Sequence, residues 1–396
     1  MHILISANSY PSRKNQLTAF VAVLAEEMVR QGVDVTVVAQ QSLTTCWKHK
    51  IPLCPLKGKV LVNTVDGSRE MTILRPVSLT LGQGRFAKLS QRINRFVKRI
   101  AVNTLKSKPD LVYSHFWTAA DQIIDYAEKY NIPSFVASGE DEINIEHYID
   151  SQRITKLREN TKGVICVSSK NKIESIAHHL TEEKKCVVLP NAINEKLFYC
   201  SGKKIARKKL GYLQDDFIVA FCGRFNKRKG CQRVSEAIDL LKIQRVKSVF
   251  IGIPAGADIE EPSCEGILFK GALPHEDIPT YLNAADVFVL PTLAEGCSNA
   301  IVEAMACGLP IISSNLPFNL DLLNGENAIL VDPMSVEQIA TGIEKLLNHP
   351  ALQQQMSLSA LATVKDLTIE KRVRSILQFF QQCEPRINVN LKQGLM

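Results

Sequence analysis

The stretch from Ala285 to Ser314, ADVFVLPTLAEGCSNAIVEAMACGLPIISS, constrains this chain more than any other. Its apolar run Val287-Phe288-Val289-Leu290 has the length of a buried strand and closes at Pro291. A polar loop, Glu295-Gly296-Cys297-Ser298-Asn299, leads into Ile301, Val302 and Met305, which recur at helical spacing until Gly308 and Pro310 stop them. Ile311-Ile312 then starts a second strand. Strand, loop, helix and strand in that order build parallel sheets, and such sheets take ligands at the carboxyl ends of their strands. The loop therefore falls where a ligand is expected.

Its chemistry suits a phosphate. A helix N-terminus offers unpaired N–H groups and about half a positive charge. Gly296 allows close approach of the backbone, and Ser298 or Asn299 can cap the helix or donate. Glu295 and Glu303, with seven residues between them, suit hydroxyl groups better than a bare phosphate. The plainer alternative makes Glu295 an acid favoured by the helix dipole and Glu303 an exposed helix residue.

The same stretch closely resembles the donor-site signature of family 4 glycosyltransferases. The resemblance implies that Gly296, Cys297, Ser298 and Asn299 line the diphosphate of a nucleotide sugar, with Glu295 near the sugar hydroxyls and Glu303 on the ribose. A second loop, Gly223-Arg224-Phe225-Asn226-Lys227-Arg228-Lys229-Gly230, follows the strand-like Phe217–Cys222. It reads as a cationic clamp or, in isolation, as a polar turn with surface cations. The resemblance makes Gly223, Arg224 and Lys229 ligands of the diphosphate, and Arg224, Lys229, Glu295 and His115 the catalytic set. It also implies that His115 reaches the donor sugar and that Ser138–Asp141 lies near the acceptor, with Glu140 and Asp141 as acceptor-side groups. Many members carry a glycine pair in the first loop, whereas Ser12–Thr18 here has none.

The length favours two domains, because single cores rarely grow beyond about 250–300 residues. The expected fold is α/β, of the GT-B type: two Rossmann-like domains with parallel sheets facing across a cleft. Residues 1–189 form the acceptor-binding domain, residues 190–368 the nucleotide-sugar domain, and a C-terminal helix in 369–396 packs back on the first. An apolar fraction of 45% fits a folded enzyme. The strand-like Ile3-Leu4-Ile5 begins at once, with no charged leader or cleavage site, and no apolar run reaches a membrane span. Eleven cysteines without a C-x-x-C pair suggest a reduced, cytoplasmic protein rather than a zinc site.

Along the chain, His2–Ser6 and 33–38 frame a helix carrying Phe20, Val21, Leu24 and Met28. No G-x-G-x-x-G accompanies this unit. Lys59–Val65 and Met71–Leu74 predict a hairpin turning at Asp66-Gly67. Arg85–Lys108 holds eight cations and no acid, with Phe86, Leu89, Ile93, Phe96, Val97 and Ile100 at helical spacing opposite them. It reads either as a helix with a solvated basic face or as one meeting an anionic membrane surface. No nucleic-acid motif accompanies the charge. Lys203–Lys209 reads as a solvated linker or helix face, and Pro274–Asn283 as a helix broken by Pro279.

The expected activity is retaining transfer of a sugar from a nucleotide-diphosphate sugar, such as a UDP-sugar, to a glycan or lipid-linked saccharide acceptor in cell-surface polysaccharide synthesis. The nucleotide sugar is a co-substrate; no cofactor or metal is expected, and the protein would sit on the inner face of the cell membrane. A sugar-nucleotide epimerase of the same architecture and a non-catalytic lipid- or polyanion-binding protein are the alternatives.

Overall fold

The computed structural model describes residues 1–11, 19–48, 50–80 and 86–387. The glycine-free loop Ser12–Thr18, Arg85 and the tail beyond 387 lie outside the described residues. The chain divides into two compact units, Met1–Leu189 with Ile369–Met396, and Pro190–Thr368.

The first unit runs β1 (His2–Ala7), α1 (Ala19–Arg30), β2 (Asp34–Ala39), β3 (Gln41–Ser42), α2 (Leu43–Lys48), β4 (Lys57–Thr64), β5 (Gly67–Leu74), β6 (Val77–Ser78) and α3 (Ala87–Val102). It continues through β7 (Leu111–His115), α4 (Trp117–Asp121), α5 (Ile124–Lys129), β8 (Ser134–Ser138), α6 (Ser151–Asn160), β9 (Thr161–Cys166), α7 (Ser169–Ala177) and β10 (Cys186–Val188). Eight strands form one sheet in the order β10-β9-β8-β7-β1-β2-β5-β4. All of its pairings are parallel except β4 with β5. Ile3, Ile5, Val35, Val37, Tyr113 and Phe135 are buried on one face and Leu4, Val38, Val112 and Val136 on the other, as both-face coverage of a parallel sheet requires. The hairpin turns at Val65-Asp66, because Gly67 already pairs with Thr64 as the first residue of β5.

The second unit contains α8 (Lys203–Leu210), β11 (Phe217–Cys222), α9 (Cys231–Leu241), β12 (Val246–Ile251), β13 (Ile267–Gly271), α10 (Ile278–Ala284) and β14 (Val287–Leu290). After these come α11 (Asn299–Ala306), β15 (Ile311–Ser314), β16 (Ala328–Val331), α12 (Val336–Asn348) and α13 (Pro350–Val364). Its six parallel strands lie in the order β13-β12-β11-β14-β15-β16. Counted within the unit this is the doubly wound order 3-2-1-4-5-6, with the direction of winding reversing between β11 and β14. The last helix, α14 (Ile369–Cys383), belongs to the first unit, where Phe380 packs 4.4 Å from the Phe135 ring.

Three local readings change. Pro279 lies in the first turn of α10, where its missing N–H has no helical partner to lose, so it starts the helix instead of breaking it. The basic segment Lys203–Lys209 is not wholly solvated. Arg207 is buried, donating to Asp286 Oδ2 at 2.6 Å and to the carbonyls of Ala284, Gln214 and Asp216. In α3 the inward face is mainly polar, and apolar residues share the outer face with Lys88, Arg92 and Arg99. Ser90, Gln91, Asn94 and Lys98 turn inward, while Phe86, Leu89, Phe96 and Ile100 are exposed, Phe96 at 56%. Lys98 Nζ donates to Ser6 Oγ at 3.0 Å and the Ala7 carbonyl at 2.8 Å, and burial pushes its pKa well down.

Candidate active site

Both loops singled out in the sequence leave the carboxyl ends of the two strands that flank the reversal point of the second sheet. The loop after β11 passes through Gly223 and Arg224 to Lys229 and Gly230; the loop after β14 passes through Glu295 to Ser298. Gly252, at the end of β12, makes room for the first loop, since a Cβ there would stand 1.9 Å from the Gly223 carbonyl oxygen. Gly230 takes a left-handed φ of +79° as it opens α9. Asn226 Oδ1 accepts from the Lys229 N–H at 3.0 Å, which fixes the turn between them.

At the start of α11, Ser298 is the N-cap residue, and its side chain makes no capping bond. The first helical bond runs from Val302 N–H to the Ser298 carbonyl at 3.2 Å. The N–H groups of Asn299, Ala300 and Ile301 are thus left without helical acceptors, as at any helix start. Asn191 braces the same loop, its Nδ2 donating to the Cys297 carbonyl at 3.0 Å and to Asn299 Oδ1 at 2.8 Å.

The charged groups are arranged unequally. Arg224 is exposed, and its guanidinium has no ion-pair partner among the described residues. Lys229 is paired with Glu295 Oε1, which also accepts from Thr292 Oγ1 at 3.0 Å. Arg228 donates to the Ala294 carbonyl at 2.5 Å and stands 3.9 Å from Glu295 Oε2. One turn into α11, Glu303 Oε1 meets His275 Nε2 at 3.0 Å, and that hydrogen bond raises the His275 pKa. Gly296, next to Glu295, is buried.

In the first unit, His115 ends β7 and is nearly covered, with Tyr113 and Phe20 rings at 5.0 and 5.8 Å. Burial, and then the Arg372 charge, push its pKa down to about 3, so the ring is neutral at pH 7. Its Nε2 is buried without a hydrogen-bond partner among the described residues. The next residue, Phe116, has φ +75°, an unusual backbone for a bulky side chain, of the kind stored at functional sites. Glu140 Oε1 accepts from the Trp117 N–H at 2.8 Å, and Oε2 from the Gly139 N–H at 2.9 Å and Ser138 Oγ at 3.2 Å. Burial raises its pKa while these donors oppose the rise. Asp141 is exposed, and its carbonyl accepts from Lys170.

Two family models match the chain: Glycosyltransferase Family 4 over residues 17–197 and Glycosyl transferases group 1 over residues 202–363. The chain is a family 4 glycosyltransferase. It is 26% identical over 384 residues to TuaC of Bacillus subtilis, a glycosyltransferase named for teichuronic acid biosynthesis, covering 92% of this chain and 94% of that protein. It is 27% identical over 232 residues to the UDP-Gal:alpha-D-GlcNAc-diphosphoundecaprenol alpha-1,3-galactosyltransferase of Escherichia coli, covering 56% of this chain and 60% of that enzyme. The solved sucrose-phosphate synthase of Thermosynechococcus elongatus superposes with a TM-score of 0.76 at 19% identity, over 98% of this chain and 99% of that one. These likenesses identify the fold as GT-B, with a parallel-sheet α/β unit in each half.

Within this glycosyltransferase, Gly223, Arg224, Lys229, Glu295, Gly296, Cys297, Ser298, Asn299 and Glu303 all belong to the second unit. His115, Glu140 and Asp141 belong to the first. Sequence reasoning missed Arg228, Asn191 and His275. Arg228 stood in the quoted clamp, but its partner Glu295 lies 67 residues on, and no spacing rule links them. His275 gave no signal of its own, since it precedes α10 in an ordinary polar turn.

Proposed function

We propose that this glycosyltransferase moves a sugar from a nucleotide-diphosphate sugar, a UDP-sugar first among the candidates, to a glycan or lipid-linked saccharide of a cell-surface polysaccharide. The reading rests on one convergence: an uncapped helix start, Arg224, Lys229 and two glutamates meet at the reversal point of the second sheet. As the anomeric C1–O bond breaks, its electron pair stays on the β-phosphate. The helix N–H groups and the two cations stabilise that growing charge. Arg224 can grip two oxygens at once. Lys229 has three donors, so its bond to Glu295 leaves others for the phosphate. Glu303 takes the ribose hydroxyls, and Glu295 the sugar hydroxyls while it orients Lys229.

The new bond forms from the acceptor oxygen to C1 on the face the phosphate leaves. The acceptor proton passes to the departing phosphate, and the anomeric configuration is retained. Protein cations fill the role a divalent ion plays in other transferases. The names of TuaC and of the E. coli galactosyltransferase support the polysaccharide setting and the lipid-linked acceptor.

The exposed face of α3 carries Phe86, Leu89, Phe96 and Ile100 among Lys88, Arg92 and Arg99. Apolar residues fringed by cations suit an anionic membrane surface, each cation adding about 1 kcal/mol. No helix among the described residues is long and apolar enough to cross a membrane. The protein would act as a peripheral enzyme on the cytoplasmic face, where a lipid-linked acceptor is presented.

The test is a panel of nucleotide sugars scored by melting temperature. A cognate donor at a hundred times its Kd adds about 2.7 kcal/mol of stability. One sugar nucleotide should raise the melting temperature, and Arg224→Ala should remove most of the rise. No rise with any of them would sink the reading.

A further inference from the structure

His275 lies in the turn between β13 and α10, and its Nε2 meets Glu303 Oε1 on α11 at 3.0 Å. Beside the ring stands the buried Phe198, with centroids 5.1 Å apart and the planes tilted by 57°. The imidazole is thus both packed and bonded. The Glu303 hydrogen bond, and then the charges of Glu303 and Glu276, outweigh burial and raise the His275 pKa. A protonated ring donates from both nitrogens, which suits Nε2 to a carboxylate.

Stability does not account for this pair. The His275 side chain is 52% exposed and that of Glu303 16%, and a pair so open to water adds little to folding. Its effect falls on Glu303 itself. A glutamate side chain turns about three torsions, and fixing a free one against a ligand costs rotamer entropy. The His275 bond removes that cost before any ligand arrives. It also leaves capacity to accept. Glu303 Oε2 has no hydrogen-bond partner among the described residues, and Oε1 keeps a second lone pair. Two neighbouring hydroxyl groups can therefore donate to the carboxylate while His275 holds it.

We propose that His275 is a positioning residue of the donor site, fixing the Glu303 carboxylate for the vicinal diol of the nucleotide's ribose. The diol is named on the reading that Glu303 takes the ribose hydroxyls. His275 acts through Glu303 and not on the substrate. Its loss should therefore weaken nucleotides that carry both ribose hydroxyls and spare those that carry neither.

Titration calorimetry on the full chain tests this. The probes are UDP, GDP and ADP, each beside its 2′,3′-dideoxy counterpart. For the nucleotide that binds, the wild-type protein should prefer the diol form by at least about fivefold. His275→Leu should weaken the diol form about tenfold and the dideoxy form by less than about twofold. In His275→Gln the amide nitrogen reaches about as far as Nε2 and still donates, so affinity should return to within about threefold of wild type. Melting curves report folding, and His275→Ala carries the test if His275→Leu melts early. Equal losses for the two forms, unchanged affinity in the folded variant, or no recovery with glutamine overturns the proposal. The two failures are distinguishable. A wild-type protein that binds no nucleoside diphosphate, or binds both forms alike, refutes the ribose role of Glu303 and this proposal with it. A wild-type preference for the diol that persists undiminished in His275→Leu refutes this proposal alone.

Discussion

Arg224 and Lys229 are held in different ways, and the difference sets what each substitution should do. Arg224 is exposed and unpaired, so Arg224→Ala removes a donor and leaves nothing stranded. Lys229→Ala also strips Glu295 of its nearest cation in a mostly buried place. Both should lower kcat by about a hundredfold or more, near 3 kcal/mol, with Lys229→Ala melting at a lower temperature as well. Glu303→Ala should chiefly raise the donor KM. Steady-state kinetics of the three variants beside their melting curves decides this, and near-normal turnover in all three would refute the site. His115 carries a pH signature. Its native pKa, about 3, lies below the ordinary histidine value, so between these limits the unfolded chain binds a proton that the native chain does not. Stability from this group is complete above about pH 6.5 and falls as pH drops toward 3, by up to about 1.4 kcal/mol per unit. His115→Gln should flatten that part of the stability–pH curve by one proton. The sequence placed His115 at a strand end, but its neutral state comes from burial and from the Arg372 charge, and the fold brings in the remote Phe20 and Arg372 beside the neighbouring Tyr113.

Helix α3 marks where periodicity stops being informative. Apolar residues at helical spacing predicted a helix over 85–108, and Ala87–Val102 is one. Which side faces inward was not legible, because a hydrophobic stripe is expected to turn to the core. Here the core side is a polar cavity, and Gln91 and Asn94 are drawn to it while Phe96 and Ile100 remain outside. The geometry also selects the cations for a membrane test. Lys98 is buried, and Arg95 stands 3.7 Å from the buried Asp121, so reversing either would damage the fold. Changing Lys88, Arg92, Arg99 and Lys106 to glutamate should abolish sedimentation with anionic liposomes without lowering the melting temperature by more than a few degrees. Sedimentation that stays as salt-sensitive as before would place the membrane contact elsewhere. The loops after β11 and β14, by contrast, were legible as continuous stretches at strand ends. A phosphate grip needs glycine, a helix start and cations in short succession, and such local chemistry leaves a continuous motif.

At the scale of the whole molecule, the strand order decides what the sequence could disclose. Gly223–Gly230 and Glu295–Ser298 meet because β11 and β14 are neighbours, an adjacency that the family resemblance carried and spacing did not. A cavity of about 510 Å³ in the first unit draws on residues 8, 40, 91, 94, 118 and 122, scattered carboxamides and a threonine that form no motif. With the leaving group held by protein cations, turnover should survive exhaustive chelation, and an absolute need for added magnesium or manganese would contradict that. Stereochemistry is the sharper question. An inverting transfer needs a base at the acceptor hydroxyl, opposite the leaving group. Glu140 is the only sequence-derived candidate on the cavity wall, since Asp141 does not line it. Yet both Glu140 oxygens accept backbone N–H groups, from Trp117 and Gly139, which tie the carboxylate to the start of α4. That duty is positional, and it opposes the basicity that burial confers. The departing phosphate is then the better proton acceptor, and an α-linked donor should give an α-linked product. Proton NMR of the product's anomeric coupling reads the outcome directly. Glu140→Gln, checked for folding, should keep at least about a tenth of the turnover, because loss of a general base costs about 10²–10⁴-fold. A β-linked product together with a folded but inactive Glu140→Gln variant would establish inversion instead.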